Sequence, residues 1–211
     1  MASKTAIQHF DNSARSYEEL TSGCTRELAR YIRTLTLTPD IGTESTILDN
    51  ASGPAIVTEE LLLHTMPHNT PCAIHVVYAS PAMIEAARAK NLGLATAAAT
   101  EAAADNTFTH SFTNLGILFF TDGVQGAREI FRTLQPSGVA VVTSWADLGY
   151  LDIVRKAQAA VRPDTTPYAL PISKSWFLQK HVEDVFREGE FSIIEVYERE
   201  VHLGAASLGG L

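Results

Sequence analysis

The stretch from Thr46 to Thr58, TILDNASGPAIVT, constrains the fold more than any other part of this chain, because it reads as strand, tight loop and helix. Thr46, Ile47 and Leu48 are a short apolar strand, Asp49 closes it, and Ser52-Gly53-Pro54 turn the chain. Ile56 to Met66 then carry helical apolar spacing, with Ile56, Leu62, Leu63 and Met66 as the expected inward stripe. A loop between a parallel strand and the next helix is where open α/β sheets bind nucleotides, since helix N-terminal amides and a close backbone approach suit such ligands.

A chain of 211 residues with 45% apolar residues is long enough for one well-cored domain, so a single domain over residues 1–211 is expected. The net charge of -8 provides no basic footprint for nucleic acid, and no stretch is long and apolar enough to span a membrane. Neither is an expected partner. The opening MASKTAIQHFDNSARSYEEL lacks the apolar run of a secretory signal, so a cytoplasmic location is the default. Cys24 and Cys72 have no metal-type spacing and are expected to be free thiols, with no metal site.

Helices are expected over Ser3–Tyr17 and Thr21–Leu35. After the first strand and its helix, Cys72–Tyr78 is a β-rich run, and Ser80-Pro81 starts a helix closed by Asn91–Gly93. Leu94–Ala104 is alanine-rich and holds at most a short, weak strand. Phe108–Leu115 is a fourth strand, Asp122–Gln135 a helix, and Pro136-Ser137-Gly138 a turn before a buried strand over Val139–Trp145. Helices over Leu148–Val161 and Trp176–Arg187 and a last strand over Phe191–His202 complete the pattern. Strands alternating with helices imply βαβ units and a mostly parallel sheet.

On Asp49-Asn50-Ala51-Ser52-Gly53-Pro54-Ala55 the chain resembles the first motif of class I S-adenosylmethionine (SAM) dependent methyltransferases, acid-x-Gly-x-Gly-x-Gly, with one glycine of three kept. Tyr78-Ala79-Ser80-Pro81-Ala82-Met83 resembles the second motif, commonly Asp-x-Ser-x-x-Met. Asp105–Phe108 with Phe112-Thr113-Asn114 resembles the fourth, and Leu134–Val139 resembles the Leu-x-Pro-Gly-Gly turn before the fifth strand. The wording is closest to fungal methyltransferases of secondary-metabolite pathways. The resemblance implies a Rossmann-like three-layer α/β sandwich with a mostly parallel sheet over 45–203, preceded by an N-terminal helical cap over 1–37. It also implies a cofactor set of Asp49, Ser52, Gly53, Ala55, Tyr78 and Glu101, and a pocket lined by His9, Tyr17, Asn114, Trp145 and Tyr150.

Four departures bear on function. Ala55 stands where the family has glycine; a left-handed backbone there would cost roughly 1–2 kcal/mol. Tyr78 replaces the carboxylate that takes both ribose hydroxyls, a loss of about 1.5–3 kcal/mol for one charge-assisted bond. Only Glu101 and Thr100 are available to read adenine. A seventh, antiparallel strand is not legible, which would leave a sheet edge unpaired and makes a homodimer the expected assembly.

The leading expectation is an enzyme of secondary metabolism that has lost SAM-dependent transfer, needs no cofactor, and binds a hydrophobic small molecule for cyclisation, pericyclic reaction or isomerisation. Asn114, Tyr17, Tyr78 and His110 are its candidate catalytic residues. The alternatives are an active SAM-dependent small-molecule methyltransferase and a catalytically silent partner subunit.

Overall fold

The computed structural model describes residues 6–35, 39–65, 73–94, 96–98, 103–170 and 172–204. Five parallel strands, β1 (Thr46–Asn50), β2 (Ala73–Val77), β3 (Thr96–Ala98), β4 (Phe108–Thr113) and β5 (Leu134–Val142), form one sheet in the order β3-β2-β1-β4-β5. Strand β1 pairs on both sides, Thr46 to Asn50 with Ala73 to Val77 and Ile47 to Asp49 with His110 to Phe112. The chain steps outward from β1 to β3 and returns to β4 on the other side. The crevice outside the carboxyl ends of β1 and β4 is therefore a topological switch point.

Helices cover both faces, which is why β1 is apolar at consecutive positions rather than alternate ones. Ile47 packs with Ile74, Val76 and Phe112 under α3 (Cys24–Ile32), α4 (Ile56–Thr65) and α5 (Pro81–Ala89). Leu48 points the other way, into Phe108, Ile130, Val185 and Phe186, beneath α6 (Gly123–Thr133) and α8 (Gln179–Glu188). Ser80 caps α5 by accepting from Met83 N, with Pro81 in the first turn, and Asp122 caps α6 by accepting from Gln125 N.

The N-terminal cap consists of α1 (Ala6–Ser13), a 3-10 turn, α2 (Tyr17–Leu20) and α3. It is tied to the core by charge as well as by packing. The Arg26 guanidinium donates to Glu18 at 2.7 and 2.8 Å, to Glu59 at 2.6 Å and to Glu60 at 2.8 Å, while Lys90 reaches Glu59 at 2.8 Å. Glu60 is 1% exposed and also accepts from Arg30 Nε at 3.3 Å, so two guanidinium groups balance its buried charge.

Several expectations are corrected. Phe191–His202 is extended but joins no ladder among the described residues. Its ends are held elsewhere: Phe191 meets Phe131 and Phe186 edge-on, while Arg199 lies over Tyr31 and His202 bonds Glu27. Local β propensity needs a neighbouring edge to become a strand, and this anchoring keeps the segment off one. Of the expected stripe Ile56 is buried and Leu62 packs against the core, but Leu63 is exposed, and α4 also buries Val57, Thr58, Glu60 and Leu61 because it is covered by both the sheet and α3. Pro136-Ser137-Gly138 is an irregularity inside β5 rather than a turn before it, with Ser137 at φ 67° where the register shifts between Phe108 and His110. Met66 and Cys72 lie outside the described residues, as does the Leu203–Leu211 tail beyond Gly204.

Gly116 follows β4 where its backbone passes the first loop, and a methyl there would overlap the Ala51 methyl and crowd Thr113 Cγ2 at 3.2 Å. Gly116→Ala is expected to lose about 1–3 kcal/mol of stability in urea denaturation, and Ala51→Gly in the same chain to restore most of it. Additive effects in that double-mutant cycle would contradict the contact.

Candidate functional site

The β1–α4 loop keeps an unusual backbone: Ala51, Gly53 and Ala55 have φ of 52°, 56° and 59°. The left-handed conformation anticipated for Ala55 is present, and each alanine carries a cost of roughly 1–2 kcal/mol that glycine would avoid. The loop is held down from two sides. Ser52 N donates to Val77 O at 3.2 Å, and Asp49 Oδ2 accepts from Thr58 N at 3.1 Å and Thr58 Oγ1 at 2.7 Å. Asp49 is 0% exposed, and its Oδ1 has no hydrogen-bond partner among the described residues. Burial pushes its carboxyl up to about 6, against the opposing pull of the Thr58 bonds.

Above this loop lies a cavity of about 2470 Å³, far larger than the roughly 300–1,000 Å³ of drug-sized sites. Its floor is formed by Asn50–Gly53, Tyr78 and Asn114–Gly116. The cap supplies Phe10, Tyr17 and Cys24; β5 and the residues after it supply Val139–Trp145; and the extended 193–203 segment closes part of the far side.

The cap places a cluster of rings over the loop. Phe10 meets Tyr78 edge-on at 5.7 Å and Phe119 at 5.1 Å, and is tilted against Tyr17 at 6.4 Å. A Cβ on Gly53 would touch the Tyr17 ring at 3.9 Å, so that ring lies directly on the surviving loop glycine. Asp11 Oδ1 accepts from Ser80 Oγ at 2.5 Å and from Ala82 N at 3.4 Å, which sets a carboxylate at the start of α5. Burial raises both phenols well above the ordinary tyrosine range; Tyr17 and Asp11 add to the effect at Tyr78, and Cys24 and Glu18 to that at Tyr17. Both are neutral O–H donors at physiological pH, unsuited to act as bases.

Phe10 and Phe119 were not singled out in the sequence, and Asp11 reads there only as a carboxylate near His9. Phe10 and Tyr17 are seven residues apart, a helical repeat that offered a signal for the first of them.

The other sequence-derived candidates divide. Asn114, Trp145 and Tyr150 line the cavity, and His9 sits exposed at its rim, edge-on to Phe10. Asn114 is already engaged: its Nδ2 donates to Thr25 O at 3.1 Å and its Oδ1 accepts from Thr143 Oγ1 at 2.8 Å. It pins α3 to β4 and the end of β5 and acts as a positioning residue. Asp49 and Ala55 lie beneath the loop, while Ser52 and Gly53 face the cavity. Glu101 falls outside the described residues.

His110 is a correction. It is 0% exposed, stacked on Phe112, with Nε2 at 2.8 Å from Pro39 O and Nδ1 at 2.8 Å from Thr109 Oγ1. Burial lowers its pKa, and it is sealed under the loop before β1 because it sits near the amino end of β4, away from the carboxyl strand ends that open on the cavity.

Among the described residues no group of three or more His, Cys, Asp and Glu is placed to hold a metal, and no helix is long and apolar enough to cross a membrane. The cavity has a broad apolar and aromatic wall with the Tyr17 and Tyr78 phenols at the loop and charged residues such as Asp147, Glu183 and Glu195 farther round its lining.

Comparison with known proteins follows the fold. Residues 48–142 match a family model described as a methyltransferase domain. Similar solved structures include a SAM-dependent methyltransferase from Aquifex aeolicus, at 16% identity and TM-score 0.53 over 86% of this chain and 88% of that one. A protein from Methanococcus maripaludis assigned as an S-adenosyl-L-methionine-dependent methyltransferase aligns at 17% and 0.60 over 90% and 87%. The [4+2]-cyclase SpnF aligns at 16% and 0.60 over 90% and 74%. At these identities the likeness is one of fold.

Asp49 generates a pH test. Its folded pKa of about 6 lies above the 3.8 of a free carboxyl, so the folded state binds the proton more tightly. The stability it contributes is full below the lower value and lost as pH rises through the higher one. Asp49→Asn is expected to raise stability at pH 7.5 by of order 2 kcal/mol and to change it little at pH 4, read by urea denaturation at each pH. Equal effects at both pH values would sink the assignment.

Proposed function

Taking the chain as a methyltransferase-domain protein of the class I fold, we propose that it binds a large hydrophobic small molecule and promotes its cyclisation or isomerisation without SAM. The observation that carries this is the ring cluster. Tyr78 stands at the end of β2, where the family resemblance places a ribose-binding carboxylate, and Tyr17 and Phe10 cover Gly53 and the Tyr78 ring. These residues do not fit SAM, since a single buried phenol cannot accept from two hydroxyls and the rings fill the path across the loop. That SpnF, a [4+2]-cyclase, shares the fold supports the reading by analogy.

The wall holds an apolar substrate in one folded conformer and excludes water, which lowers the entropic part of the barrier to ring closure. The Tyr17 and Tyr78 O–H groups supply neutral donors for a carbonyl whose oxygen gains charge as the new bond forms. Asn114, held by Thr25 and Thr143, keeps the cap seated on the strand ends so that these donors stay in place. Such a reaction needs no external proton donor or acceptor.

Retention of the left-handed loop at Ala51, Gly53 and Ala55 favours a second reading, an active methyltransferase. It needs a carboxylate at the nucleoside, and Asp105 is instead on the surface, paired with Arg132 at 2.5 Å and 68% exposed.

Calorimetric titration separates the two. The unaltered chain is expected to bind SAM more weakly than about 100 µM, and Tyr78→Asp to tighten binding by roughly one to two decades as the charge-assisted acceptor returns. Low-micromolar binding by the unaltered chain would overturn the proposal. With a convertible polyene or polyketide-like substrate, Tyr78→Phe is expected to lower kcat by about 10-fold to 100-fold with a smaller change in KM.

A further inference from the structure

After β5 the chain makes one long excursion that the core does not grip. Ser144 Oγ donates to Trp176 O at 2.8 Å, and Leu148 and Trp176 are both buried, so the chain leaves and returns at one fixed base. Beyond that base, none of the described residues 149–170 is buried. The excursion consists of α7 (Tyr150–Val161) and the return loop 162–170, and it is fastened to itself. Gln158 Nε2 donates to Thr165 Oγ1 at 2.8 Å and to Thr166 O at 2.7 Å, and Gln158 Oε1 accepts from Tyr168 N at 2.6 Å. Arg155 Nε donates to Tyr168 O at 3.1 Å. A loop with its ends pinned together and its interior bonded to itself can turn about its base without breaking those bonds.

The apolar face of α7 points where an amphipathic helix normally would not put it. Tyr150, Ile153, Val154, Ala157 and Val161 recur at three- and four-residue steps and so share one face. Tyr150 is half-buried and the other four are exposed, Ile153 by 70% and Val161 by 75%. The position of that face says what covers it. Tyr150 and Ile153 line the cavity, as do Tyr168 and Leu170 of the return loop, so the apolar side of the excursion borders the cavity mouth. Burial raises the Tyr150 phenol, and Tyr168 and Cys24 add to the effect, which sets the first turn of α7 beside the cap. Apolar side chains that border a cavity are covered when an apolar molecule fills it.

We propose that residues 149–170 are a flap that closes over a large apolar molecule in the cavity, with Ile153 as its contact and Gln158 as the staple that keeps it one piece. Closure buries Ile153, removes water from the mouth and slows escape. It also selects by size, because a molecule too small to reach the mouth leaves Ile153 in water. This rests on the cavity taking a large apolar molecule, as proposed above, and not on the reaction carried out there.

Nile red, a neutral apolar dye, is the probe, titrated by fluorescence into the full chain, where saturable binding is expected. In the free chain the α7 amides are expected to exchange faster than those of α6. The dye is expected to slow the α7 amides about tenfold or more, and those of α6 by less. Ile153→Asn and Gln158→Ala are each expected to weaken dye binding about fivefold to tenfold, mainly through faster dissociation. Neither side chain is in the core, so circular dichroism and the urea midpoint should stay unchanged. Gln158 bonds the return loop and is outside the cavity lining, so its effect separates a flap from a passive wall. Three results would each overturn the proposal: no saturable dye binding, α7 exchange as fast with dye as without, or unaltered dissociation in either variant. Low-micromolar SAM binding, by contrast, would overturn the reaction and leave these readouts in force.

Discussion

The site depends on how tightly the β1–α4 loop is tied down. One buried carboxylate, Asp49, joins the end of the central strand to the first turn of α4 through Thr58 N and Thr58 Oγ1. Ser52 N joins the same loop to the end of β2. With both ends fixed, the loop is held at left-handed angles that two alanines would not choose for themselves. The floor of the cavity is therefore rigid, and whatever binds above it adapts to a preset surface. The cost is a carboxylate kept where ionisation is disfavoured.

The cap gives that floor its chemistry. Arg26 bonds Glu18 of the cap together with Glu59 and Glu60 of α4, and Asn114 donates to Thr25 O, so the cap sits on the strand ends in one position. That position carries Phe10 and Tyr17 over the loop and Asp11 to the start of α5. A scaffold of the methyltransferase type is thereby lined with rings and neutral phenols at its centre, with charged groups at the margins. The proposed ring closure of an apolar substrate would draw on that lining to hold one conformer.

The third of the chain after β5 is built differently. α8 is seated on α6 with Phe186 and Val185 in the core, yet α7 buries nothing and the 191–203 segment crosses the cavity without joining the sheet. A well-packed amino-terminal two thirds thus contrasts with an open carboxyl-terminal side.

Alternating periods in the residues themselves determined the βαβ order, the position of the first loop and the helix starts at Ser80 and Asp122, because apolar spacing and capping act between near neighbours. Tyr78 at the end of β2 was equally legible, since its place is set by the strand it closes. What only the tertiary structure decided depends on contacts between distant segments. His110 reads as a pocket histidine until Pro39, 71 residues away, is found on its ring nitrogen. Asp11 reads as a companion to His9 until it is found on Ser80. The residues after Phe191 read as a strand, and their ends, held by Phe186 and Glu27, keep them from becoming one. Local sequence sets which backbone shapes are favourable, and a strand, a buried histidine or a pocket wall exists only where the rest of the chain supplies the other side.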